Sequence, residues 1–154
     1  MDLIVESDGK AAQEGAFHNV VGALKFDRRF PENVFAGEWS DFLFFESDRM
    51  FAPEFAEVVG ELLGSENAGV CCLLNLDQTR SLKFEEASAI FLDRMTTASE
   101  YAAKLRRGGP AVGWLYGMDK YGCASDVGDW SIYCEKQNDI AVRSEERRGG
   151  KQCR

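Results

Sequence analysis

The run Val70-Cys71-Cys72-Leu73-Leu74, inside the stretch Gly69 to Leu76, constrains the fold more than any other segment of the chain. A strand with one face in water alternates apolar and polar residues. A strand that is apolar at every position has both faces covered. This run therefore predicts a central strand, and a central strand demands a sheet with further elements packed on it.

The flanking segments supply those elements. Ser7 or Asp8 is positioned to cap a helix through Phe17, Val20, Val21 and Leu24, a spacing that lines one helical face. The stretch Arg28-Arg29-Phe30-Pro31 ends it. Asp41-Phe42-Leu43-Phe44-Phe45-Glu46 is an aromatic run between charges and predicts a buried strand. Pro53 opens a second helix in the favoured first turn, with Phe55, Val58, Val59 and Leu62 inward and Gly64 as its stop. Ala87 to Leu92 predicts another strand. Thr97-Ala98-Ser99-Glu100 has the form of a capping box, and the helix it starts runs to Gly108-Gly109-Pro110. Ala111 to Tyr116 and Trp130 to Glu135 read as strands, and Lys136 to Asp139 as a hairpin loop into a last strand beginning at Ile140. The fold class expected is α+β: a single mixed, partly antiparallel sheet with about three helices packed on it.

A chain of 154 residues suits one domain. No apolar stretch approaches the ~20 residues needed to cross a bilayer. The start Met1-Asp2-Leu3-Ile4-Val5-Glu6 lacks the basic and long apolar regions of a secretory signal. A cytoplasmic location and no membrane partner are expected. The five cysteines include no C-x-x-C pair, and a single histidine, His18, gives a Cys/His metal site no support. No metal is expected. Cys71 and Cys72 should be protected in the core, and Cys123 should react.

Residues 143–154, Arg-Ser-Glu-Glu-Arg-Arg-Gly-Gly-Lys-Gln-Cys-Arg, resemble the conceptual translation of a common sequencing adapter, departing from it at Gly149 and Gln152 among others. They are basic and aperiodic on an otherwise acidic chain. The expectation is a globular domain over 1–142 and a non-native, disordered tail over 143–154 that packs against nothing. Without that tail the chain holds 13 basic and 24 acidic residues, a net charge of −11 in place of −8. So acidic a body is repelled by phosphate backbones, which argues against nucleic acid and for a basic protein partner.

Familiar catalytic signatures are missing. There is no G-x-G-x-x-G and no Walker loop, and no cofactor is expected. The densest polar constellation is Gly117 to Asp129, predicted as a loop between two aromatic strands, with Asp119, Tyr121, Cys123 and Asp126 as candidate contact groups. Its glycines and aspartates also suit a connection that merely turns. The aromatic pairs Phe42/Phe44 and Trp114/Tyr116 read as core packing. The functional expectation is a small acidic intracellular interaction module, resembling inhibitor or immunity proteins in size and acidity alone. The alternative is a small enzyme without a familiar motif that uses carboxylates and Cys123 in the 117–129 loop.

Overall fold

A computed structural model describes residues 2–37, 39–77, 83–86, 88–106 and 119–146. The helices are α1 (Asp2–Ala23), α2 (Phe55–Glu66) and α3 (Ala98–Leu105). The strands are β1 (Trp39–Phe45), β2 (Val70–Asn75), β3 (Ala89–Asp93), β4 (Lys120–Ser125), β5 (Trp130–Glu135) and β6 (Ile140–Glu146). They form one six-stranded sheet in the order β1-β6-β5-β4-β2-β3. The α+β class is as expected. Among the described strands, however, every pairing is antiparallel rather than mixed.

The β2 run explains the layering. Cys71 and Leu73 enter one core with Phe55, Val59 and Leu63 of α2 and Tyr101 of α3. Cys72 and Leu74 enter a second core with Phe17 and Val20 of α1 and with Leu24 just beyond its end. Successive strand side chains point to opposite faces, so helices on both sides are what bury all six residues of β2.

Gly122 sets how close α1 comes to the sheet. A Cβ there would lie 2.4 Å from Leu24 Cδ1 and 3.0 Å from Val20 Cγ1. Gly122→Val should therefore cost on the order of 1–3 kcal/mol through overpacking. Thermal melts would read it as a drop of several degrees; an unchanged midpoint would mean that α1 does not press on β4.

Local chemistry explains several boundaries. Thr97 and Glu100 form the predicted capping box, with Glu100 N donating to Thr97 Oγ1 at 3.1 Å and Thr97 N to Glu100 Oε1 at 2.8 Å. Gly64 does not close α2. The helix continues to Glu66 and ends at Asn67, whose φ of 58° is left-handed, while Ala68 N returns to Leu63 O. Its buried face is Phe55, Ala56, Val59 and Leu63, so Val58 turns outward. α1 begins at Asp2, which places Ser7 and Asp8 inside the helix rather than at its cap.

The expectation that residues from 143 onward pack against nothing also needs correction. Arg143 to Glu146 belong to β6, paired with β1, and Arg143 to Glu145 pair with β5 as well. Strand pairing uses the backbone and does not require apolar periodicity. The side chains fit less well: Ser144 Oγ, Arg143 Nε and Ser131 Oγ, which lies on the residue opposite Ser144, are buried without a hydrogen-bond partner among the described residues. Residues 147–154 and the predicted strand Ala111 to Tyr116 lie outside the described residues.

Candidate functional site: an exposed apolar edge

Residues 117 and 118 lie outside the described residues, and 119–129 is not one long loop. Its middle is β4, and only Asp126 to Asp129 turn the chain into β5. In that turn Gly128 has φ +85°, and Ser125 Oγ accepts from Val127 N at 3.2 Å and Gly128 N at 2.9 Å. The alternation of Tyr121 and Cys123 was obscured by the small residues Gly122 and Ala124 that alternate with them on the α1 side.

The four candidate contact groups are thereby separated. Asp119 and Asp126 flank opposite ends of β4, about 20 Å apart at the usual rise per strand residue. Asp119 is 7% exposed; its Oδ2 accepts from Arg29 Nη2 at 2.7 Å and its Oδ1 from Gln137 N at 2.9 Å. Asp126 Oδ1 accepts from Gly69 N at 2.9 Å and Val70 N at 3.0 Å, fixing the start of β2. Tyr121 is fully buried, its ring 4.9 Å from that of Phe51. It is not an exposed anchor.

Cys123 is likewise fully buried, with Sγ 3.5 Å from Cys71 Sγ. Burial pushes its thiol well above the ordinary range, and the contact with Cys71 adds to that. A nucleophile needs the thiolate and an open approach; Cys123 has neither. It belongs to the core beneath α2 and α3, whereas His18 sits on α1 across the sheet. Cys123 and His18 therefore cannot pair. The expected contrast between a reactive Cys123 and protected Cys71 and Cys72 is therefore replaced by burial of all three.

Asp119 belongs to a polar cluster that ties segment 25–36 to the sheet. Glu135, fully buried, accepts from Phe30 N at 2.6 Å, from Tyr133 Oη at 2.7 Å and from Asn138 Nδ2. Arg29 Nη2 lies 3.6 Å from its Oε1. These groups satisfy one another, so the cluster is a clamp. Among the described residues no group of three or more His, Cys, Asp or Glu is placed to hold a metal ion.

The exposed chemistry lies on β1. This strand was expected to be buried, yet it is an edge of the sheet, hydrogen-bonded only to β6 among the described strands. Phe42, Leu43 and Phe44 are 48%, 55% and 63% exposed. Phe42 and Phe44 share the α1 face, where the Phe42 ring reaches Phe35 at 5.8 Å. Leu43 points the other way, into a largely apolar groove of about 410 Å³ shared with Phe45, Phe55, Val58, Leu62 and Ile132, with Arg49, Glu54 and Arg143 also on its walls. Acids surround this strip: Asp41, Glu46, Asp48, Glu54 and Glu57 are all exposed. Between 41 and 61 there are six acidic residues and one basic residue, Arg49.

A second cleft, of about 390 Å³, lies at the β3 end of the sheet, between Asp93, Thr96, Glu100 and Lys104. Asp93 and Glu100 are already engaged there by turn and cap amides. No described helix is long and apolar enough to cross a membrane. No family model, curated protein or solved structure matches this chain.

Proposed function

We propose that this chain is a protein-interaction module that binds a basic protein partner through the β1 edge. The observation that carries the reading is three consecutive exposed apolar side chains on an edge strand inside an acidic rim. Contiguous exposed apolar surface with a polar border marks interaction sites, and aromatic residues supply most of the binding energy where they are desolvated at the centre of such a surface. The rim and the chain's net charge of −8 steer a basic partner and raise its association rate. The contact role expected of Asp119, Tyr121, Cys123 and Asp126 passes to Phe42, Leu43 and Phe44. Small size and acidity are shared with inhibitor and immunity proteins, and an inhibitor- or immunity-like role is part of this proposal. A reducing, cytoplasmic setting, in which Cys71 and Cys123 keep free thiols, belongs to the same proposal.

The test is a pull-down from the source cell with the parent chain and with Leu43→Asp and Phe44→Asp variants. These side chains are exposed, so the variants should melt like the parent. The expected result is a stoichiometric basic protein held by the parent and weakened at least tenfold in each variant, about 1.4 kcal/mol or more. Its association should slow as salt rises, because exposed charges are screened over about 10 Å at 0.1 M. A partner retained equally by both variants would remove β1 from the interface.

A further inference from the structure

The shape of the β1 edge points to how the partner is held, an inference that rests on the interaction reading above. We infer that β1 takes up an extended segment of the partner as a seventh strand, with apolar residues at alternate positions and Lys or Arg flanking them. Three observations converge. First, the outer edge of β1 has no strand beside it among the described residues, so alternate backbone N–H and C=O groups over Trp39–Phe45 face outward. Sheet edges in proteins are commonly guarded by lysine, proline or an inward-pointing charge; β1 has no lysine or proline, and its one charge, Asp41, is exposed.

Second, the exposed apolar side chains lie on both faces of the sheet. Phe42 and Phe44 stand on the α1 side and Leu43 on the groove side. A helix laid in the groove would cover Leu43 and leave both phenylalanines in water. Only a strand aligned with β1 places side chains alternately on the two faces, one set beside Phe42 and Phe44, the other over the groove.

Third, charge chooses between a second copy of this chain and a basic partner. Antiparallel pairing of two β1 strands would bring together two rims that each hold Asp41, Glu46, Asp48, Glu54 and Glu57. Like charges brought together in an interface are costly, and the two cations that line the groove, Arg49 and Arg143, do not offset five carboxylates. An extended segment flanked by Lys or Arg meets the same rim with complementary charge.

The experiment is selection of random twelve-residue displayed peptides on the full chain, with Leu43→Asp as counter-selection. Enriched peptides should carry apolar residues at i, i+2 and i+4 and basic residues outside them. In a synthetic copy of the best one, N-methylation of alternate amides should weaken binding at least tenfold, while N-methylation of the intervening amides should not. Apolar spacing of i, i+3 and i+4, insensitivity to N-methylation, or no enrichment over Leu43→Asp would each overturn strand addition. So would a dimer of the chain alone, seen by sedimentation and abolished by Leu43→Asp. These outcomes leave the interaction reading to stand or fall on the pull-down, which is indifferent to backbone pairing.

Discussion

Glu135→Ala should destabilise the fold by about 3–5 kcal/mol, the usual cost of removing one member of a buried charged network. The carboxylate is wholly enclosed and gathers three donors, Phe30 N, Tyr133 Oη and Asn138 Nδ2, with the guanidinium of Arg29 3.6 Å away as an ion-pair partner. Truncation leaves the Phe30 amide without its carboxylate and opens a cavity beside the Phe30–Tyr133 ring contact at 5.0 Å. Arg29→Ala should cost much less, because that side chain is 45% exposed and its loss leaves the other donors in place. Glu135→Gln, which keeps the shape but turns one acceptor into a donor, should fall between them. Urea midpoints at constant m-value give the order. Hydrogen exchange should show segment 25–36 released first, since the carboxylate is its principal tie to β5. A Glu135→Ala variant within 1 kcal/mol of the parent would mean that other contacts hold the segment.

The sequence made some of this legible. β2 was readable because its apolar run is long enough to require cover on both faces, and the structure places helices there. Thr97 and Glu100 were readable because a capping box is a local bond pattern that needs no tertiary context. The hairpin at Lys136 to Asp139 is local in the same way. β1 was misread for the opposite reason. Phe42-Leu43-Phe44-Phe45 has the same two-sided apolar pattern as β2, and only strand order, a non-local property, makes one strand central and the other an edge.

The expected loop at 117–129 gave way for a similar reason. Polar and glycine content over 117–129 suggested a loop, but Gly122 is there because α1 crosses β4 closely, and Asp119 and Asp126 are there because backbone amides at the strand ends need acceptors. Residues chosen for packing and for amide satisfaction look, in sequence, like residues chosen for a ligand. One signal for the true edge was available: Asp41 and Glu46 immediately bracket the aromatic run, and the acids continue through Asp48, Glu54 and Glu57.

Alkaline pH should unfold this protein steeply. Burial pushes the thiols of Cys72, Cys123 and Cys134 above their ordinary value of 9.0, and burial raises the phenol of Tyr101 well above its ordinary 10.0. In each case the folded state favours the neutral, protonated form. Above about pH 9 the unfolded chain releases these protons while the native core keeps them, so the native state binds more protons than the unfolded state. Stability then falls as pH rises. The contribution is fully present below the unfolded pKa and is lost upward through the folded values. Each such thiol contributes a slope of about 1.4 kcal/mol per pH unit, so three give roughly 4 kcal/mol per unit, with Tyr101 adding above about pH 10. Total stabilities are only 5–15 kcal/mol, which puts cooperative unfolding within roughly one to three units above pH 9. Urea midpoints measured from pH 7 to 11 should be flat with respect to these groups up to about pH 8.5 and then fall. Thiolate absorbance near 240 nm should appear together with unfolding rather than before it. Replacing Cys72, Cys123 and Cys134 by alanine should lower stability at pH 7, because core volume is lost, and yet flatten the alkaline slope. A parent midpoint that holds steady to pH 10.5, or thiolates that form in the native state near pH 9, would show that these sulfurs reach solvent.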